Sequence, residues 1–478
     1  MTSVGITSYG YHVPWYRLSR KTISTALGAL GKGGGGAGDK AVANFDEDSV
    51  SMAVGAGMDC LKSTDKKIDG ILFASTTTPY RERESAGIIA TALDLGSGLR
   101  TADFTDSLKA GTGAILCAID AVKAAGKGKY LVCGADCRVG SPGSSEEMVF
   151  GDGAGAITIG SEDVIATFEG SFSLSYDFPD YRRLDRDRFV RSIEDRFARE
   201  EGYAKILPEV VKGFLKKYNM EPNDFAKIAF SCPNAREHAT IGAKMGFQAT
   251  QIVPPLVSVT GDMGAASPFV NLVLVLEEAK PGDNILIVSY GNGAEALYFK
   301  VTEGINRITN RGRFQRSLNN IQKISSYEKY LTFRGLLPLA ILDELEGATQ
   351  LPLVWRSRRE IYALHGTRCK KCGTPQYPPQ RICVICQATD QMEDYSFADR
   401  KATLFSFTID HASPNVNPPL TYGYVDFDGG GRFVFEITDC EPSSLKTKIP
   451  VEMSFRRKYR DEIRGIVGYF WKAVPKRD

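Results

Sequence analysis

Histidine is scarce in this chain of 478 residues: only His12, His238, His365 and His411 occur, too few for a histidine-centred metal or hydrolase site to be the expected chemistry. Net charge is nearly absent as well. Lys+Arg 59 against Asp+Glu 57 leaves a formal +2, so no global field draws nucleic acid or an anionic membrane surface. No apolar run approaches the roughly 20 residues that span a bilayer, and the opening MTSVGITSYGYHVPWYR lacks the charged-then-apolar pattern of a signal peptide. The expectation is a soluble, cytoplasmic protein whose partners include neither nucleic acid nor a membrane. The stretch GKGGGGAGDK (31–40) lacks the Lys-Ser/Thr ending of a phosphate-cradling loop. With six glycines in ten residues it reads as a surface loop.

Apolar material is plentiful. Hydrophobic residues make up 43% and charged residues 24%, enough for a sizeable core in two to three domains. Residues 1–335 alternate apolar strands with amphipathic helices, the rhythm of an α/β domain. A polar, Arg-rich exit and a short helix near WRSRREIYALHG make 336–366 a linker, 367–390 holds a cysteine cluster, and 391–478 carries short strands. Within the large domain one plan occurs twice, in TADFTDSLKAGTGAILCAIDAVKAAGKGKYLVCGAD and in SVTGDMGAASPFVNLVLVLEEAKPGDNILIVSYGNG. Each runs through a small-residue turn into a helix opened by Ala and Gly, then returns to an apolar strand, as an internal duplication would. Helix N-termini at strand ends favour developing negative charge, so residues 106–109 and 261–263 are expected to face one pocket.

Ten cysteines are present, and four of them stand as CKKCGTPQYPPQRICVIC. Cys369 and Cys372, then Cys383 and Cys386, form two C-x-x-C knuckles separated by ten residues, the spacing of a zinc ribbon. Two disulfides fit a cytoplasmic protein poorly, and a single iron of the rubredoxin type is the remaining rival. Four thiolates close the coordination shell, so the metal's role is structural. Cys60, Cys117, Cys133, Cys137 and Cys440 read as reduced core cysteines. Strands at ATLFSFTI, LTYGYVDF, GRFVFEITDC and GIVGYFWKAVP, divided by Gly/Pro/Asn turns, predict a small barrel of the OB type, with no dense basic patch among its aromatics. The charged run 181–202 reads as a salt-bridged helix face, and its Arg182 and Arg183 are also candidates for gripping phosphates. His238 reads as a solvated or packing residue, and Asp152 as part of a Gly-rich turn.

VGITSYGYHVPWYRL, DEDSVSMAV, the LKAGT turn and AKPGDNILIVSYGNGA give residues 1–335 a resemblance to the thiolase superfamily, most closely to archaeal-type 3-hydroxy-3-methylglutaryl-CoA synthases. The resemblance implies a five-layered αβαβα domain, usually dimeric, that takes acyl-CoA and makes or breaks carbon–carbon bonds beside a thioester. A ribbon followed by an OB barrel resembles the OB family that accompanies thiolase-like enzymes, here fused to its partner.

The motif positions depart from the family. Leu108 stands where the resemblance places the nucleophilic Cys, Thr76 in STTTPY where it places a general-acid Glu, Ser231 in FSCPN where it places a His, and Asp262 in GDMGAAS where related enzymes carry Asn. The resemblance therefore implies an aldol or retro-aldol reaction on a 3-hydroxyacyl-CoA without an acyl-cysteine. Asp262 would be the base. Ser231, Asn292 and the amides of LKAGT would be donors to the enolate, Lys109 a candidate cation there, and Arg182 and Arg183 contacts for the CoA phosphates. Two alternatives stay open: a non-catalytic acyl-CoA-binding scaffold, and a conventional condensing enzyme or acyltransferase that uses Cys232.

Overall fold

A computed structural model describes residues 3–28, 37–309, 311–340 and 350–477. The chain forms two compact units, one of residues 1–43, 55–86 and 98–330, the other of 44–54, 87–97 and 331–478. Among the described residues no helix is long and apolar enough to cross a membrane.

Nine strands form the sheet of the first unit. Their spatial order is Lys227–Phe230, Asn284–Tyr290, Gly293–Val301, Ala166–Ser175, Gly5–His12, Gly153–Gly160, Lys129–Asp136, Gly70–Ala74 and Arg100–Phe104. Ala166–Ser175 and Gly5–His12 meet only at Gly5↔Thr167 and Ile6↔Ala166, so the sheet divides into halves of four and five strands. Each half contains a helix that leads into an antiparallel pair of strands: Ala110–Ala125 before Lys129–Asp136 and Gly153–Gly160, and Ser267–Glu278 before Asn284–Tyr290 and Gly293–Val301.

The first of these helices buries one face and the second most of its side chains. Ile115, Ile119 and Val122 from one, and Phe269, Val273 and Leu276 from the other, share a core with Val132 and Ile157 of one half-sheet and Ile285 and Leu297 of the other. They form the middle layer of the α/β sandwich. Small residues let them approach: a Cβ at Gly111 would stand 2.6 Å from the Ala265 carbonyl and 2.9 Å from the Phe269 ring. On the outer face of the second half, Leu207, Val211 and Phe214 of helix Ala204–Tyr218 pack on Leu286 and Val288. Strand Asn284–Tyr290 thus feeds two cores by simple alternation.

Several local expectations change. Run 181–202 begins as a two-stranded ribbon, Tyr181–Arg182 against Arg191–Ser192, and turns helical only from Asp195. The cause is Asp187, whose carboxylate accepts from the Leu184 amide at 3.1 Å and from Arg191 at 2.9 Å, local bonds that compete with helix. Cys117 is exposed, because helical periodicity sets it opposite the buried Ala114, Ile115 and Ala118. Asp152 is fully buried and accepts from the Ala43 amide at 2.6 Å, tying down the strand Asp39–Val42. For His238 the packing reading holds: it is buried and stacked on Phe230 with ring centroids 4.0 Å apart. Of the glycine-rich loop, residues 31–36 lie outside the described residues, and its end, Asp39 and Lys40, belongs to that same strand.

In the second unit, Pro375–Gln376, His365–Cys369 and Met392–Ser396 form a three-stranded antiparallel ribbon. Five strands follow in the order Arg432–Glu436, Leu420–Phe427, Ala402–Asp410, Pro450–Asp461 and Ile466–Pro475. A bridge between Ile437 and Ala473 joins the two ends into a barrel. Alternation fills its interior: Val451, Met453 and Phe455 are buried while Glu452 is exposed. Trp471 is buried and donates from its indole to the Tyr362 carbonyl at 2.9 Å. Beside it lies a buried charge cluster. Arg456 reaches Asp46 at 3.2 Å, Glu47 at 3.0 Å and Asp439 at 2.5 Å, and Lys472 reaches Asp46 at 3.0 Å. Burial works against the Arg456 charge, and the three carboxylates outweigh it, holding the guanidinium well above its ordinary range.

Candidate active site

Where strand Lys129–Asp136 ends, two charged residues turn inward instead of out to water. Asp136 is fully buried. Its carboxylate accepts from the Thr76 amide at 2.7 Å, from the hydroxyls of Ser75, Thr76 and Thr77 at 3.1, 3.0 and 2.9 Å, and from the Ala265 amide at 2.8 Å. It therefore joins the STTT turn to the start of the second buried helix. Arg138 is 2% exposed and lies over the Phe150 ring at 4.0 Å, with the Tyr181 ring 5.6 Å away. Burial opposes its charge, but Asp262 and Asp136 reverse that effect and raise its pKa.

Asp262 is the residue Arg138 holds. Its Oδ2 meets Arg138 Nη2 at 2.7 Å, while Oδ1 accepts from the Gly264 amide at 3.0 Å and the Ser267 hydroxyl at 3.3 Å. Gly264 has φ +57, and a Cβ there would come within 2.3 Å of Asp136 and 2.8 Å of Arg138 Nε. Only glycine fits the turn that aims this carboxylate.

Asp262 lines a cavity together with Leu108, Tyr181, Ser231, Ser289 and Tyr290. A second recess shares Ser231 and Asp262 and is walled by Cys232, Val257, Met263 and Asn271. Asn271 donates to the Ser231 hydroxyl at 3.5 Å. Ser231, Asp262 and Leu108, each singled out in the sequence, thus meet at one place. The other candidates do not line these cavities. Lys109 Nζ lies 3.5 Å from the Leu174 carbonyl, and the Asn292 carbonyl accepts from the Tyr176 amide at 3.2 Å in a residue with φ 47. Arg183 donates to the Thr76 carbonyl and Arg182 to the Pro179 carbonyl at 3.4 Å; both are exposed. Two of the LKAGT amides are already engaged, Lys109 by the Ser107 hydroxyl at 3.3 Å and Ala110 by the Ser107 carbonyl at 3.0 Å.

Cys232 is 5% exposed, and burial pushes its thiol up to about 12. Such a thiol carries almost no thiolate at neutral pH. Arg138, Asp136 and Tyr181 were missed in the sequence. The one available signal was a charged pair, Asp136 and Arg138, directly after the apolar run YLVCGA, where a buried charge needs a partner.

In the ribbon, Cys369, Cys372, Cys383 and Cys386 place their sulfurs within 4.8 Å of one another, with 3.6 Å between Cys369 and Cys386 and 3.4 Å between Cys372 and Cys383. Tetrahedral zinc with bonds of about 2.3 Å separates its sulfurs by about 3.8 Å. The Cys386 amide points at the Cys383 sulfur at 3.4 Å, as a metal knuckle requires. The donor set therefore fits a tetrahedral thiolate metal.

Comparison with known proteins divides along the same lines. Residues 356–393 match the family described as ChsH2, rubredoxin-like zinc ribbon domain, and 395–456 match ChsH2, C-terminal OB-fold domain. The sequence is 32% identical over 341 residues to a hydroxymethylglutaryl-CoA synthase of Thermococcus sibiricus, covering 70% of this chain and 96% of the relative. It is 34% identical over 310 residues to that of Pyrococcus furiosus, covering 63% and 87%. Among solved structures, an HMG-CoA synthase complexed with CoA is similar at a TM-score of 0.61 and 20% identity, covering 69% of this chain and 89% of that one. The 3-oxoacyl-(acyl carrier protein) synthase III of Pseudomonas aeruginosa is similar at 0.56 and 18%, covering 63% and 98%.

Proposed function

The chain belongs to the hydroxymethylglutaryl-CoA synthase family, and from that premise we propose that its first unit binds a 3-hydroxyacyl-CoA and breaks or forms the C2–C3 bond by aldol chemistry, without an acyl-cysteine. The observation that carries this reading is the cavity itself. It presents a carboxylate, Asp262, aimed by Arg138 and Gly264, beside an alkyl side chain, Leu108, at the head of the buried helix. In the cleavage direction Asp262 accepts the proton of the 3-hydroxyl. The C2–C3 bonding pair passes to the thioester as an enolate, and a ketone or aldehyde leaves. The Ser231 hydroxyl, held by Asn271, is the side-chain donor assigned to the enolate oxygen. Lys109 and Asn292 stand outside the reacting centre in this scheme. A panel of 3-hydroxyacyl-CoA thioesters tests it: release of acetyl- or propionyl-CoA, followed by mass spectrometry, is expected for at least one member, and no release with CoA binding retained would favour a scaffold.

Family membership itself favours a second reading, a condensing enzyme that works through a covalent acyl group on Cys232. With that thiol buried and its pKa near 12, intact-mass measurement after incubation with acetyl-CoA is expected to show no acyl adduct. An adduct mapped to Cys232 would replace the aldol reading with this one.

In the ribbon, Cys369, Cys372, Cys383 and Cys386 would hold one zinc, which when bound cross-links the two knuckles and leaves no open position for a substrate. Metal analysis is expected to find one zinc per chain. Chelation should remove hydrogen-exchange protection from 365–396; protection that survives full metal removal would refute a structural role.

A further inference from the structure

Cleavage leaves an enolate that needs a proton at its α-carbon, and Tyr181 brings a second O–H group to the cavity lined by Asp262. We infer that Tyr181 is the acid: its phenol protonates the α-carbon in cleavage and removes the α-proton in the reverse direction. This rests on the aldol reading of the cavity.

Tyr181 lines the same cavity as Asp262, Ser231 and Leu108. Its ring is fixed from two sides, edge-on to Phe150 with centroids 5.6 Å apart and 5.6 Å from the Arg138 guanidinium that grips Asp262. As a residue it is half-buried. The short ribbon Tyr181–Arg182 with Arg191–Ser192 carries it there, anchored where the Ile193 amide donates to the Asp180 carbonyl at 3.0 Å. The charged groups facing the phenol are Asp262, Asp180 and Glu146 of one sign and Arg138 of the other. Burial first, and then Asp262, raises its pKa. That order gives the site a sequence of events. While Asp262 is charged, it holds the proton on Tyr181; once Asp262 has taken the substrate's proton, the opposing charge is gone and Tyr181 is more acidic than before as the enolate appears.

The step balances. The hydroxyl proton goes to Asp262, the C2–C3 pair becomes the enolate, and the carbonyl product leaves. The Tyr181 proton then forms the new C2–H bond. The tyrosinate regains a proton from water, and Asp262 returns one to water. No oxidant or further reactant enters.

Exchange of the α-protons of propionyl-CoA for deuterium in heavy water tests this without requiring bond cleavage. In the wild-type chain, exchange is expected to rise with pD as tyrosinate forms. Tyr181→Phe should lower it by about 100-fold or more, with an unchanged melting curve. Asp262→Asn should exchange faster than wild type while losing cleavage, a response that a merely structural tyrosine would not give. Exchange in Tyr181→Phe within about twofold of wild type, slower exchange in Asp262→Asn, or no exchange in wild type at any pD would each overturn the assignment. Should Tyr181→Phe fail to fold, the direction of change in Asp262→Asn decides the matter. A wild type that exchanges but cleaves no thioester of the panel would sink the aldol reading alone, so the two failures are distinguishable.

Discussion

Replacing Asp262 by asparagine is expected to lower carbon–carbon cleavage by about 100- to 10,000-fold, the usual worth of a positioned general base, while acyl-CoA binding stays within about threefold. Asparagine keeps the size of the side chain and can still accept from the Gly264 amide and the Ser267 hydroxyl. It has no basic oxygen for the substrate's proton, and it leaves Arg138 without the partner now 2.7 Å away. Arg138 is 2% exposed, so the variant also loses some stability, and a melting curve must accompany the kinetics. Steady-state rates on the best thioester of the panel, beside calorimetric CoA binding, separate the two effects. Turnover within about twofold of wild type would remove Asp262 from the mechanism.

The second large effect lies in the other unit. Arg456→Met should destabilise it by about 3–5 kcal/mol, the cost of breaking a buried ion cluster by removing one partner. Three carboxylates, Asp46, Glu47 and Asp439, lie within 3.2 Å of this guanidinium, and Lys472 can compensate only Asp46 among them. Asn44 donates to Asp439 at 2.9 Å and Thr438 at 3.1 Å, so hydrogen bonds saturate the rest of the cluster. Hydrogen exchange over 44–54 and 432–475 reads the unit directly. The variant is expected to lose protection in both segments together. Wild-type protection in both would mean that the carboxylates relax into water at little cost.

Neighbouring groups explain how much of this could be seen beforehand. The four ribbon cysteines were legible because a C-x-x-C knuckle is a local object: two ligands three residues apart reach one metal whatever the rest of the chain does. The α/β character and the barrel strands were legible through apolar periodicity, as in the alternating Val451, Met453 and Phe455. Ser231, Asp262 and Leu108 were found as motif positions, and the cavity collects all three. Run 181–202 was misread because an i,i+4 charge pattern scores the same on a helix as across a turn. Arg191 and Asp187 have that spacing, yet Asp187 uses its second bond to close a turn on Leu184.

Composition and short-range spacing by themselves determined the ribbon's ligands, the duplicated α/β plan and the barrel, because each depends on side chains within a few residues of one another. Only the tertiary structure decided which polar groups face the cavity. Arg138 lies 124 residues from Asp262 in sequence, and Asp136 accepts from turns 60 and 129 residues away. Such contacts arise where strand ends from different segments of the first unit converge, and burial there makes each charge depend on a partner that no local pattern names.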